Sequence, residues 1–95
     1  MRLRYTRRAS RNLDRIFSYI AQDNPAAAAR VVARIEQLAE ALLYAPGSGI
    51  ATDRPPIRRV PVVGSPYLIF YEVRGEELII HHIRHGARRP WARPR

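Results

Sequence analysis

The sequence predicts an α+β fold in the order β-α-α-β-β-β, a helical hairpin packed on a small antiparallel sheet. Three observations carry this. Apolar residues recur at helical spacing in two segments before residue 43. Runs rich in β-branched and aromatic residues follow residue 56. Proline and glycine punctuate the junctions between these segments. At 95 residues the chain makes one domain. We assign it to 1–90, with 91–95 as a basic, flexible tail.

Residues 2–5 alternate Arg2, Leu3, Arg4, Tyr5, the pattern of a short strand with one apolar face. Thr6 offers a hydroxyl N-cap to the helix after it. Leu13, Ile16, Phe17 and Ile20 form that helix's stripe, and the helix should end near Asp23. Asn24-Pro25 is a stop and a new start: Asn24 can cap, and Pro25 suits a first turn because its missing N–H is no loss there. Ala28, Val31, Val32, Ile35, Leu38, Ala39 and Leu42 then form one stripe of a second helix. Its surface charges help little. Arg30–Arg34 and Glu36–Glu40 are like-charged i,i+4 pairs, so packing must hold it. Residues 46–56 hold three prolines and two glycines and read as loop. Ile57 to Val63 is a strand that Pro61 places at an edge or bulge. Gly64-Ser65-Pro66 turns the chain. Tyr67 to Val73 is apolar on both faces and should be the central strand. Arg74 to Glu77 makes the next turn, and Leu78 to Arg84 the last strand.

Cysteine is absent, which excludes a disulfide scaffold, a thiol nucleophile and a cysteine-based zinc site. The N-terminus lacks the apolar stretch of a signal peptide, and no apolar run is long enough to span a membrane. A cytoplasmic protein is expected. The unusual quantity is charge. All 17 basic residues are arginine, against 8 acids, for a net charge of +9. Residues 1–15 hold six arginines and one acid, and 84–95 hold five and none, so each end carries +5. The span 16–83 holds six arginines and seven acids, net −1. GC-rich codon usage explains arginine in place of lysine but not this clustering. An acidic partner, protein or nucleic acid, fits it.

His81, His82 and His85 invite a metal reading. On a regular strand His81 and His85 share a face, about 13 Å apart, and His82 points oppositely. That is too far for one ion, and no metal is expected. The serines have no nucleophile context. Gly47-Ser48-Gly49 lacks the ending of a phosphate loop. Tyr67 and Tyr71 alternate with Ile69 as core residues against the helices.

Three stretches resemble one known family. They are Tyr5-Thr6 and Ala9 through Leu13, Ile16 and Tyr19-Ile20, then Asn24-Pro25 and an Ala-rich helix; Arg59-Val60-Pro61-Val62, a small turn and Tyr67-Leu68-Ile69-Phe70-Tyr71; and Ile83-Arg84-His85-Gly86-Ala87-Arg88-Arg89-Pro90. Together, in this order and spacing, they resemble the RelE/ParE superfamily of bacterial type II toxin–antitoxin toxins, nearest its ParE-like members.

The resemblance implies a toxin neutralised by a ParD-like antitoxin and two choices of activity. RelE-like members cut mRNA on the ribosome, which needs cations for the phosphorane-like transition state and groups that move protons. The matching positions here are Arg58, Arg59 and Arg88; His85 is a candidate proton shuttle for the same chemistry, or else a structural hydrogen-bonding residue at the strand end beside Gly86. Leu68 stands where those relatives carry an Arg, and the tail holds no Tyr or His after Arg88. Arginine is also a poor general base. ParE-like members inhibit DNA gyrase by binding. Leu68-Ile69-Phe70 and His85-Gly86 fit them better. The resemblance therefore implies a gyrase-inhibiting toxin, not an enzyme, without cofactor. A RelE-like endonuclease is the alternative, and a non-toxic basic nucleic-acid-binding module is a third. Candidate gyrase contacts are Arg84, Arg88, Arg89, Trp91 and Arg93, a basic tail that reads equally as a solvated end. Ile16, Phe17, Tyr19, Leu68 and Phe70 are expected to line one apolar antitoxin groove. One hairpin cannot cover both apolar faces of the central strand, which also points to a partner.

Overall fold

The computed structural model of the chain describes residues 1–86. Its elements are β1 (Arg2–Tyr5), α1 (Arg7–Ala21), α2 (Pro25–Leu42), β2 (Ile50–Ala51), β3 (Arg58–Pro61), β4 (Tyr67–Arg74) and β5 (Glu77–His85). Two helices pack on a five-stranded sheet of order β1-β5-β4-β3-β2. The α+β class, the two helices and the central position of β4 agree with the sequence reading. The expected tail, 91–95, lies outside the described residues.

The sheet departs from expectation in one pairing. β2–β3, β3–β4 and β4–β5 are antiparallel, but β1 pairs with β5 in parallel. The sheet is therefore mixed. Three successive antiparallel pairings set β5 opposite to β2, and β1 runs the same way as β5. The expected loop also contains a strand: Ile50 and Ala51 pair with Arg59 and Arg58. Two residues between proline and glycine clusters carry no visible periodicity, so only the partner strand reveals them.

Local signals place the helices. The Thr6 side chain accepts from Ala9 N–H, and Asn24 accepts from Ala27 N–H. Each bond satisfies an orphan first-turn donor and contributes about 1 kcal/mol. Pro25 occupies the first turn of α2. Pro61 stands where β3 runs past its outer neighbour, since β2 reaches only Arg58 and Arg59. Val62 N–H bonds to Tyr67 O, so the adjacent Pro61 nitrogen faces the uncovered side, where no donor is needed. Gly75 has φ +59° and opens the tight turn between β4 and β5, where a side chain would be strained.

The core lies between the helices and one face of the sheet. Ile35, Ala39 and Leu42 of α2 and Ile16 of α1 meet Ile69, Tyr71, Leu78, Ile80 and Ile83. Tyr5, at the end of β1, packs against this core. Burial, and then the carboxylates of Glu36 and Glu40, push its phenol up to about 12. Arg34 ties α2 to the turn after β3 by donating to Val63 O at 3.2 Å.

Tyr71 anchors the loop that follows α2. It is fully buried, donates to Pro46 O at 2.8 Å and accepts from Gly49 N–H at 2.9 Å. Gly49 must lack a side chain. A Cβ there would lie 2.8 Å from the Tyr71 ring and 2.9 Å from Arg59 O. Arg58 completes the clamp, donating to Gly49 O at 2.7 Å.

Tyr71→Phe keeps the ring but strands the Gly49 N–H and the Pro46 carbonyl. It should cost about 1–3 kcal/mol in urea unfolding. Gly49→Ala should cost at least as much, because the backbone itself must move. Wild-type stability in either variant would show that the clamp does not hold the loop.

Candidate functional site

An irregularity in β5 decides which side chains face where. Phe70 pairs with His82 and Tyr71 with Ile80, so His81 is an extra residue opposite a single peptide of β4. This is a β-bulge, and it resets the alternation of the strand. Before it, Leu78 and Ile80 face the helices; after it, Ile83 does. His82 and Arg84 are thereby turned to the other face. The bulge is tied to the start of α1. Thr6 N–H bonds Ile80 O at 3.0 Å, its hydroxyl donates to His81 O at 2.6 Å, and the Asn12 side chain accepts from Ile83 N–H at 2.9 Å.

The histidine geometry read from strict alternation is therefore wrong in one respect. His85 lies on the helix side, edge-on to Tyr67 with ring centroids 5.6 Å apart. His81 and His82 both serve the other face. His81 Nε2 meets the Glu72 carboxylate at 2.8 Å, and His82 stacks on Phe70 at 4.4 Å and 8°. Glu72 is 2% exposed and also takes Arg74 Nε at 3.0 Å. Burial alone would raise its pKa. The hydrogen bond from His81 and the Arg74 charge outweigh burial and hold it below the usual carboxylate range. Burial lowers the His82 pKa to about 4, helped by the positive charges of Arg8, Arg84 and His81.

Two concave surfaces result. The first, about 540 Å³, lies between the helices and the end of β4–β5. Ile16, Tyr19, Ile20, Val31, Tyr67 and Ile83 give it an apolar lining. The second lies on the opposite face, under the 52–57 loop. It consists of adjoining cavities of about 610 and 370 Å³ that share Thr52, Asp53, Arg54, Phe70 and Arg84.

The five expected groove residues do not form one surface. Ile16 and Tyr19 line the first groove; Tyr19 is 60% exposed. Phe17 is exposed on α1 but outside the lining. Phe70 is on the open face, in the second trough, and Leu68 shares its parity on β4. The apolar excess on that face is met largely within the chain. Phe70 is 7% exposed, between the His82 ring and the Arg84 guanidinium, which sits 4.9 Å from the ring centroid. Ile20, Val31, Tyr67 and Ile83 are the apolar groove residues that sequence reasoning missed. Tyr67 was readable only as core, and it is both core and wall.

The three endonuclease candidates among the described residues are not brought together either. Arg58 is on the helix-side parity with Tyr71 and holds Gly49 O. Arg59 pairs with Phe70 and lines the open-face trough. His85 is in the first groove. Arg88 lies outside the described residues, as do Arg89, Trp91 and Arg93 among the expected gyrase contacts. Of those contacts, Arg84 alone is placed, bordering both concave surfaces. Among the described residues no three His, Asp or Glu side chains group as a metal site, and no helix is long and apolar enough to cross a membrane.

The hairpin on a mixed sheet has known counterparts. Residues 3–90 match the family described as ParE toxin of type II toxin-antitoxin system, parDE. The chain belongs to the ParE toxin family. A Sinorhizobium fredii protein named "Putative toxin Y4kP" is 44% identical over 72 residues, covering 76% of this chain and 75% of that protein. A solved chain from the chromosomal ParDE system of P. aeruginosa superimposes with a TM-score of 0.80 at 27% identity. The match covers 90% of this chain and 95% of that one. The fold of this ParE family member is thus shared with a chain of a ParDE toxin–antitoxin system, and the earlier resemblance holds.

The His82 environment sets a pH dependence. Unfolded, His82 titrates near 6.5; folded, near 4. Between those values the unfolded chain binds the extra proton. Its contribution to stability is therefore full above pH 6.5 and declines as pH falls toward 4. His82→Phe keeps a ring on Phe70 and removes the titration. The urea midpoint of that variant should vary less with pH between 6.5 and 4 than that of the wild type. Equal slopes would contradict this.

Proposed function

We propose that this ParE family protein inhibits DNA gyrase by binding, without catalysis, and is neutralised by a ParD-like antitoxin. The family match across residues 3–90 is the observation that carries the reading. The geometry adds support. Cleavage of RNA needs transition-state cations and a proton-transfer group converging on one phosphate. Here Arg58 is engaged with a backbone carbonyl, Arg59 belongs to the opposite face, and His85 packs on Tyr67 in the first groove. Such a dispersed set favours binding over chemistry. With gyrase as target, the protein acts in the cytoplasm.

The antitoxin site we assign is the first groove. Its apolar lining, with Tyr19 at the rim, suits an amphipathic segment laid along α1. The P. aeruginosa counterpart comes from a ParDE system, which supports an antitoxin of the ParD type.

Purified protein should inhibit DNA supercoiling by gyrase at micromolar concentration and leave a ribosome-bound mRNA intact. An uninhibited gyrase together with a cleaved message would replace this reading with the endonuclease one. In a pull-down with its antitoxin, Tyr19→Ala should weaken binding about tenfold or more, as expected for an aromatic anchor, with the urea midpoint unchanged.

A further inference from the structure

We propose that the trough on the open face of the sheet is a binding site for the phosphate groups of a nucleic-acid backbone. This does not rest on the gyrase reading and concerns a different surface from the antitoxin groove, with Arg84 alone bordering both.

Four arginines reach this trough from four separate elements. Arg8 comes from the first turn of α1, Arg54 from the loop before β3, Arg59 from β3 and Arg84 from β5. One carboxylate, Asp53, is among the lining residues. Four guanidinium groups against one carboxylate in a concave surface make a strong anion site, because low-dielectric walls focus the field. Burial, and then the positive field, keep His82 neutral within it.

The kind of anion follows from the four separate elements that supply the arginines. A carboxylate accepts through two oxygens whose lone pairs lie in one plane. A phosphate carries oxygens in tetrahedral directions and can accept from donors on several sides. The trough also has two lobes meeting at Phe70 and Arg84, which suits successive phosphates on one chain.

Among the described residues the site has no free platform for a base. Phe70 is taken by His82 and by Arg84, and it is 7% exposed. The Thr6 and Thr52 hydroxyls donate to His81 O and Ile57 O. What remains is charge, without base-edge readout. The expected binding is therefore sequence-independent and strongly salt-dependent.

Fluorescence anisotropy of the full chain with a short labelled oligothymidylate tests this. Arg8→Gln and Arg54→Gln alter two exposed side chains on different elements, so the fold should survive, checked by an unchanged urea midpoint. Each should weaken binding about tenfold, as for a lost charged hydrogen bond. Each should also lower the salt slope by about one. Arg30→Gln, on the exposed face of α2, should change neither.

The His82 ring proton gives a local readout. The charges around it are Arg8 from α1, His81 and Arg84 from its own strand, and Asp53 and Arg54 from the loop across the trough. A phosphate among them should move its NMR titration midpoint upward in the wild type, and less in the Arg8→Gln/Arg54→Gln double variant. The proposal fails if the double variant binds like the wild type. It also fails if inorganic phosphate moves the His82 midpoint while the oligonucleotide does not, or if polyglutamate displaces the oligonucleotide at equal charge.

Discussion

The bulge at His81 is the constraint on which the two faces of this molecule depend. One extra residue in β5 lets Leu78, Ile80 and Ile83 all reach the helix-side core, though regular alternation would send Ile83 to the other side. The same residue turns His82 and Arg84 outward onto Phe70. Beyond the end of β1, the backbone of β5 needs new partners, and α1 provides them through Thr6 and Asn12. Helix start and strand irregularity are thus one assembly. Thr6 caps α1 with the oxygen that also donates to His81 O. Buried backbone groups tolerate few unpaired states, so such a bulge persists only where side chains complete it.

A second anchor works at the other end of the core. Tyr71 reaches through to the loop after α2 and binds it by its hydroxyl, while Arg58 holds the same loop by a carbonyl. This loop leads into β2 and the 52–57 segment that covers the open face. The trough on that face therefore depends on a buried hydroxyl and on a glycine that permits its approach. Arg58 was readable as a functional cation; its role in the fold is to close a loop.

The arginine excess resolves into separate uses. Arg34, Arg58 and Arg74 bind backbone or carboxylate groups within the chain. Arg2 and Arg4 pair with Glu77 across the parallel β1–β5 edge, where exposure keeps the contribution small. Arg8, Arg54, Arg59 and Arg84 gather on one concave surface although they span most of the sequence. Clustering at the two ends of the sequence is only part of the charge pattern. The middle of the chain, nearly neutral in sum, supplies two of the four trough arginines.

The sequence by itself determined six of the seven elements and their order. Thr6, Asn24-Pro25 and the apolar stripes act through neighbours a few residues away, so helix starts and strand runs are legible locally. The family likeness was legible for the same reason, because it rests on those runs in order. Tertiary structure decided the parallel pairing of β1 with β5, the strand hidden at Ile50–Ala51, and above all the bulge. Thr6 and His81 are 75 positions apart, and no period along either segment announces their bond. One inserted residue reverses every later side chain on a strand. The grouping of Ile16 with Tyr67, and of Phe70 with Arg8 and Arg54, therefore had to wait for the fold.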